Sequence, residues 1–160
     1  MSSLKDTINP EVLSVPASSL QPTLEFRKNY PVTVDQFVEM YDSAGWPRPI
    51  TDRSRIQAIL DSSTMLISVW DQERLVGLAR VVTDWVFICY LSHVAVRKEY
   101  QKGGLGKQLI MLAKDLVGPQ PDFVLKSSPA SMGFYTNIGM RKIENGFMFD
   151  GQFPQYGAGR

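Results

Sequence analysis

One stretch of the sequence, from Val94 to Gly106, most narrows what this chain can fold into. An apolar strand leads there into a basic, glycine-rich turn, and the turn opens a helix with apolar residues at helical spacing. The first amides of a helix have no partner within the helix and lie at the positive end of its dipole. Gly103, Gly104 and Gly106 let the backbone approach a ligand, so the turn suits an anion such as a pyrophosphate. The same glycines would also serve a plain connection between strand and helix, and the turn alone leaves both interpretations open.

Two common phosphate-binding motifs do not fit this turn. A Walker A loop would have a glycine where this chain has Gln101, and a serine or threonine where it has Gln108. A dinucleotide-binding fingerprint that starts at Gly104 would need a small residue in place of Leu109, and it would follow the first strand of its domain. The sequence therefore excludes both of these nucleotide-binding classes.

Hydrophobic periodicity predicts an α/β (α+β) domain in which helices lie on the faces of a mixed central sheet. The predicted order of elements is β-α-α-β-β-β-α-β-α-β, with helices that begin near positions 33, 51, 106 and 130. A capping box formed by Thr33 and Gln36 starts the first helix, and Gly139 is predicted to cap the last helix in the left-handed conformation. The predicted strands are 24–28, 65–70, 75–82, 86–96, 123–125 and one or two strands within 140–149.

The chain has 160 residues, of which 44% are hydrophobic, enough for one core of ordinary size. We expect residues 1–22 to be an N-terminal extension, 23–150 the folded domain and 151–160 a C-terminal tail. The 17 basic and 16 acidic residues nearly cancel, so neither nucleic acid nor a membrane is an expected partner. The longest apolar stretches are far shorter than the roughly twenty residues of a membrane-spanning helix. The single cysteine, Cys89, and the absence of an apolar leader segment predict a cytoplasmic protein.

The glycine-rich turn resembles a known cofactor-binding motif. Its letters Gln101-x-x-Gly104-x-Gly106 match the acyl-CoA-binding motif of the GNAT N-acetyltransferases, in which arginine or glutamine precedes x-x-Gly-x-Gly or Ala. Arg97-Lys98 stands where many relatives have His-Pro, and Gly103 adds a glycine. The resemblance implies the GNAT fold, acetyl-CoA (coenzyme A) as the co-substrate, no metal, and the transfer of an acetyl group to a primary amine.

A second segment, Phe134-Tyr-Thr-Asn-Ile-Gly-Met140, resembles a later signature of the same family, with Met140 in place of the usual phenylalanine. Together the two motifs extend the resemblance over roughly residues 24–149. The stretch from Ser127 to Ser131 departs further, since relatives often carry asparagine and alanine there. That departure leaves side-chain contacts to coenzyme A from this stretch unassigned.

The resemblance also implies which residues hold the co-substrate. Backbone groups at the edge of the long strand would bind the pantetheine arm, and amides of the turn would bind the pyrophosphate. Two lysines of the turn would add positive charge, although a solvated helix end explains them equally well. The implied cofactor-binding residues are Val94, Ala95, Val96, Gln101, Lys102, Gly103, Gly104, Leu105, Gly106 and Lys107.

Acetyl transfer from a thioester needs a neutral amine, a donor for the oxyanion and a proton for the departing thiolate. Tyr135 is the leading candidate for the general acid, because a free tyrosine has a pKa of about 10 and is protonated at neutral pH. A packed aromatic ring is its alternative role. A strand amide near Val94 would serve the oxyanion. The resemblance implies that the base, or a residue that orders a water, lies on the long strand at Tyr90 or Ser92.

Two other residues of the long strand are weaker catalytic candidates. His93 titrates in the useful range, but strand alternation places it on the opposite face from Val94 unless a bulge intervenes. Cys89 has no evident partner base, and a cysteine in an apolar strand is typically buried. Direct transfer to the amine is therefore favoured over an acyl-enzyme.

The acceptor amine is expected to meet the first two helices and the loop between them. Tyr41 and Trp46 are the predicted substrate-binding residues, with Arg48 and Arg53 nearby, although Trp46 would alternatively cap the core. The expected partner is a small-molecule amine, and the protein is expected to be a monomer or a homodimer. Two other functions stay open: an acyl-CoA-binding regulatory module without turnover, and a protein or peptide N-acetyltransferase.

Overall fold

The computed structural model of the protein describes residues 9–15, 24–45 and 51–151. The strands are β1 Glu11–Leu13, β2 Leu24–Lys28, β3 Met65–Asp71, β4 Arg74–Thr83, β5 Ile88–Val96 and β6 Asp122–Val124. The helices are α1 Val34–Ala44, α2 Arg53–Asp61, α3 Leu105–Val117 and α4 Met132–Asn137, and short 3-10 turns occupy Lys98–Tyr100 and Pro129–Ser131. Of the helices in these ranges, none is long and apolar enough to cross a membrane.

The strands form one sheet in the order β1 to β6, antiparallel throughout except for the parallel pair of β5 and β6. Apolar side chains of α3, such as Leu109 and Ala113, are fully buried against one face of the sheet. Phe37 and Met40 of α1, with Ile56 of α2, are buried against the other face. The predicted α/β class, a mixed sheet flanked by helices, is confirmed.

Local signals at two helix ends act as the sequence predicts. Thr33 and Gln36 form the capping box of α1: the Thr33 hydroxyl accepts from the Gln36 amide at 3.2 Å, and the Gln36 side chain accepts from the Thr33 amide at 2.9 Å. Gly139 follows α4 with φ 93°, in the left-handed region, and its amide donates to the Thr136 carbonyl at 3.0 Å. Both ends are set by short-range chemistry that the sequence shows directly.

A β-bulge interrupts the ladder between β4 and β5. Arg80 pairs with His93, but the next residue, Val81, pairs with Leu91, so Ser92 is an extra residue on β5. An extra residue reverses the alternation of side chains beyond it. Cys89 and Leu91 accordingly lie in the core beneath α3, whereas His93 packs on the opposite face of the sheet, against α1.

Gly77 of β4 lets α3 approach the sheet closely. A methyl group built on Gly77 would lie 3.2 Å from Cδ1 of Leu109 and 3.6 Å from Cδ2 of Leu105, both on α3. The missing side chain therefore sets the distance between helix and sheet, and with it the position of the helix N-terminus.

The ends of the sheet differ from the prediction. Residues 11–13, inside the predicted extension, form β1 and pair with β2. The predicted final strand within 140–149 is wrong, because these residues form neither strand nor helix, and Phe147 and Phe149 are fully exposed. The alternating pattern of residues 140–149 is typical of a strand, but a strand also needs another strand to pair with. β6, the last strand of the sheet, is only three residues long and offers little edge for pairing.

Candidate active site

The parallel pairing of β5 with β6 ends before β5 does. Their ladder has three residue pairs, the last of which joins Tyr90 to Val124, whereas β5 continues to Val96. Beyond Tyr90, the edge of β5 that is turned away from β4 borders a cleft of about 950 Å³ rather than a strand. Backbone hydrogen-bonding groups along this edge are thus placed to meet a ligand.

Most of the residues predicted to bind the cofactor line this cleft, and so does the predicted general acid. Gly103 belongs to the same turn but is not part of the lining. The end of α1, at Ala44 and Gly45, and the turn from Ser128 to Ser131 complete the walls. The predicted residues in the lining are Val94, Ala95, Val96, Gln101, Lys102, Gly104, Leu105, Gly106, Lys107 and Tyr135.

The N-terminus of α3 forms the basic end of the cleft. Gly104 is the N-cap, at φ 82°, and provides no side-chain hydrogen bond to the helix. The amides of the first turn, from Leu105 to Lys107, consequently have no acceptor within the helix. Lys102 and Lys107 are the charged residues of the lining, and both are cationic. Amides, dipole and lysines together favour an anionic group at this end.

Gln101 stabilises the turn rather than pointing a free amide at the cleft. Its Nε2 donates to the carbonyl of Val96 at 2.9 Å and to the carbonyl of Ala44 at 3.3 Å. One side chain thus joins the end of β5 to the end of α1 across the turn. This role explains why a long amide or guanidinium donor suits the first position of the motif.

The opposite wall of the cleft is α4. Phe134 approaches α3 closely, because a methyl group built on Gly106 would lie 3.7 Å from its Cζ atom. The rings of Phe134 and Tyr135 meet edge to face with centroids 5.2 Å apart, and Tyr135 is half-buried. Tyr135 is therefore carried on a short, largely exposed helix at the wall of the cavity.

The bulge on β5 decides which of its side chains can serve the cleft. His93 is 7% exposed and lies between helix α1 and the sheet, with ring centroids 6.1 Å from Phe37 and 5.8 Å from Tyr41. It therefore faces away from the side on which Val94 packs. Tyr90 and Ser92 are half-buried on the strand just before the cleft and are not part of its lining.

Cys89 is fully buried beneath α3 and is not among the residues that line the cleft. Burial raises the pKa of the Cys89 thiol to about 11, and a hydrogen bond from Thr83 opposes this only in part. The thiolate is the reactive form of a cysteine, so Cys89 is unsuited to form an acyl-enzyme at neutral pH.

The two predicted substrate-binding residues have different positions. Tyr41 is 2% exposed and stacks on Phe37 at 4.4 Å between centroids, so its ring belongs to the core and not to the cleft. Trp46, like Arg48, lies outside the described residues. Arg53 forms an ion pair with Asp35 at 2.7 Å, and both side chains are largely exposed.

Sequence reasoning missed one aromatic residue of the site and its partner. Tyr100 lines the cleft, and its hydroxyl donates to Oδ2 of Asp71 at 2.6 Å. Its place directly before Gln101 is a signal that could have identified Tyr100, but nothing local marks Asp71, which lies 29 positions earlier. In the described ranges, no cluster of three or more His, Cys, Asp or Glu is placed to hold a metal ion.

A family model described as an acetyltransferase (GNAT) domain matches residues 34–153 of the chain. This range contains α1, the cleft, the glycine-rich turn and α4. It therefore covers every element that carries the candidate site.

Two curated relatives are similar to most of the chain. An uncharacterized N-acetyltransferase, ycf52-like, of Prochlorococcus marinus is 29% identical over 130 residues, which make up 77% of this chain and 71% of the relative. A histone acetyltransferase, TAP1, of Glycine max is 29% identical over 133 residues, which make up 72% of this chain. The chain spans about half of that second relative, 54% of its length.

A solved structure shares the fold. The aminoglycoside N-acetyltransferase AAC(6')-Iy, in complex with CoA, superposes with a TM-score of 0.59 at 15% identity. The match covers 87% of this chain and 99% of that enzyme. At this identity the likeness concerns the arrangement of the elements alone.

The burial of Cys89 generates a chemical prediction. Because the thiol is inaccessible and its pKa is raised to about 11, iodoacetamide at pH 8 should alkylate the folded protein at least about 10-fold more slowly than the urea-unfolded protein. Mass spectrometry measures the rate without ambiguity, since the chain has one cysteine. Equal rates in the two states would show that the thiol is accessible and would reopen the question of an acyl-enzyme.

Proposed function

The chain belongs to the family of GNAT acetyltransferases, and from that membership we propose that it transfers an acetyl group from acetyl-CoA to a primary amine of a small molecule. One observation carries the proposal: the N-terminus of α3 and Tyr135 border the same cleft. An anion site and a proton donor at one cavity match a reaction whose donor is a thioester that bears phosphate groups.

Different residues of the cleft bind different parts of acetyl-CoA. Amides at the start of α3, with Lys102 and Lys107, hold the pyrophosphate, and the edge of β5 from Val94 to Val96, where the Val96 carbonyl already accepts from Gln101, binds the amide groups of the pantetheine arm. The cleft is continuous between these two regions, which an extended ligand requires. The solved aminoglycoside N-acetyltransferase of the same fold carries CoA, which supports this co-substrate.

The chemical step is a direct transfer. The amine nitrogen attacks the carbonyl carbon of the thioester, and a backbone amide near Val94 stabilises the oxyanion that forms. The intermediate then loses the sulfur: the C–S bond breaks, the amide product remains, and the Tyr135 hydroxyl gives its proton to the departing thiolate. The buried Cys89 supports this route, because an acyl-enzyme would need an accessible thiolate.

The proton of the attacking amine leaves on the side of β5. Tyr90 lies at the last pair of the β5 and β6 ladder, directly before the cleft, and Ser92 is the extra residue of the bulge. Neither is a strong base, so we assign them the role of ordering a water that accepts the proton. His93 is not assigned, because its ring is buried against α1.

The acceptor is proposed to be a small molecule without several positive charges. Within the described ranges, the lining of the cleft contains no aspartate or glutamate that would select an acceptor with several positive charges. Trp46 stays a proposed contact to the acceptor, in the connection between α1 and α2. Tyr41 is no longer proposed, because its ring lies in the core.

A second candidate function is acetylation of a protein or peptide. The relative from Glycine max named as a histone acetyltransferase favours it. The two functions differ in what must reach the thioester, a small amine or an extended chain with a lysine.

A panel of acceptors tests the two functions. Purified protein is mixed with acetyl-CoA and either small primary amines or lysine-containing peptides, and the release of free CoA thiol is recorded. We expect turnover above background hydrolysis with at least one small amine that carries a single positive charge. Turnover with peptides alone would favour the second function, and CoA binding without any turnover would indicate a regulatory module.

Substitution of Gly104 tests the cofactor site. Acetyl-CoA at about 100 times its Kd should raise the Tm by roughly 5 to 10 °C, because it binds the folded state alone. Gly104→Val should abolish this shift, since its side chain would project from a residue at φ 82° in the cleft lining. Gly118→Val is the control at the other end of α3: Gly118 lies outside the cleft lining and, at φ 86° and ψ −177°, holds a conformation that is essentially restricted to glycine, so its backbone strain is at least as large.

Both variants should lose intrinsic stability, but only the Gly118 variant should keep the acetyl-CoA shift. A folded Gly104→Val protein with an undiminished shift would remove the turn from the binding site.

The role of Tyr135 is tested by removal of one oxygen atom. Tyr135→Phe keeps the ring packing, so the Tm and the acetyl-CoA shift should stay near the wild-type values, while kcat should fall by about 100-fold. Tyr30→Phe, at an exposed ring of the loop before α1, is the control for a tyrosine change. If Tyr135→Phe has the same kcat as the wild type, Tyr135 is a packing residue and does not donate the proton.

A further inference from the structure

The turn before α3 holds one residue in a backbone conformation that its type does not favour. Lys102 has φ 67°, in the left-handed region that strains residues other than glycine, whereas Gly104, at φ 82°, adopts that region without strain. Such a conformation persists where surrounding contacts enforce it. The geometry of the phosphate-binding amides therefore depends on contacts made with other parts of the fold.

The residue directly before this turn, Tyr100, donates a hydrogen bond to Asp71. The phenol donates to the carboxylate at 2.6 Å, the short distance of a charge-assisted hydrogen bond. This hydrogen bond, with burial as a lesser cause, raises the pKa of Tyr100 above that of a free tyrosine, so the phenol stays a donor. Tyr100 lines the cleft, whereas Asp71, the last residue of β3, does not.

Other contacts fasten the start of the turn. Arg97, 2% exposed, donates from Nε to the Leu75 carbonyl and from its second terminal nitrogen to Glu39, both at 2.7 Å. Loss of this buried arginine would disturb β4 and α1 together, so it cannot separate cofactor binding from folding. The ion pair of Glu99 with Arg74 is about half exposed on both sides and contributes little.

We propose that Asp71 is a positioning residue for acetyl-CoA, which holds Tyr100 and thereby keeps the turn from Gln101 to Gly104 in its binding conformation. The inference rests on the proposed binding of acetyl-CoA in the cleft. Asp71 acts at a distance, through one hydrogen bond from the β3 and β4 hairpin to the turn.

The expected consequence concerns affinity rather than chemistry. Without the bond to Asp71, the turn is in its binding conformation for only a fraction of the time. The apparent affinity for acetyl-CoA is then the intrinsic affinity multiplied by that fraction. Once acetyl-CoA is bound, its contacts hold the turn, so the chemical step is unchanged. A pure stability defect would not separate KM from kcat in this way.

Three substitutions isolate the bond. Asp71→Ala removes the acceptor, Tyr100→Phe removes the donor and keeps the ring, and Asp71→Asn keeps a carbonyl oxygen that can accept. Glu73→Ala is the matched control, because Glu73 is an exposed carboxylate of the same hairpin. Urea unfolding identifies the folded variants, and calorimetry measures the Kd of CoA for each.

Asp71→Ala and Tyr100→Phe should each raise the Kd of CoA and the KM of acetyl-CoA by about 10-fold, while kcat at saturation changes less than about 2-fold. The double variant, Asp71→Ala with Tyr100→Phe, should bind CoA no more weakly than either single variant, because each of these proteins lacks the same hydrogen bond. Asp71→Asn should recover part of the affinity, and Glu73→Ala should match the wild type.

Wild-type affinity in a folded Asp71→Ala or Tyr100→Phe protein would overturn the inference, as would additive losses in the double variant. Failure of the wild type to bind CoA would instead overturn the proposed use of the cleft, and the inference with it. The two failures are therefore distinguishable in one series of titrations.

Discussion

The site depends on the parallel pairing of β5 with β6 ending after three residue pairs. Continued pairing would have satisfied the backbone of β5 as far as Val96 and closed the space in front of α4. Because the ladder ends at Tyr90, a strand edge and a helix N-terminus border one cavity, with Tyr135 on its wall. Both backbone features offer hydrogen-bonding groups, which suits a ligand with amides along its length and phosphates at one end.

The bulge at Ser92 distributes the side chains of β5 between two environments. Before it, Cys89 and Leu91 enter the core beneath α3; after it, His93 turns towards α1. Strict alternation would have placed the histidine on the same face as the cysteine. One extra residue therefore directs the imidazole into core packing against α1, outside the lining of the cleft.

Short-range patterns in the sequence predicted the parts of the fold that short-range forces decide. The capping box of α1 and the left-handed Gly139 are present as expected. The strand expected within 140–149 is absent from the described structure, since alternation provides side chains but no partner edge. Tyr41 illustrates the same limit: an aromatic residue near a loop suits a binding rim or a core, and the packing of Phe37 decides for the core.

The sequence by itself determined the glycine-rich turn, the helix it opens and the second motif with Tyr135, because each is a run of adjacent letters whose chemistry is local. Only the tertiary structure decided that these runs share a cavity, that the bulge falls at Ser92, and that Asp71 bonds to Tyr100 from 29 positions away. The physical reason is that strand register and helix docking arise from contacts between residues distant in the chain, and no local pattern encodes those contacts.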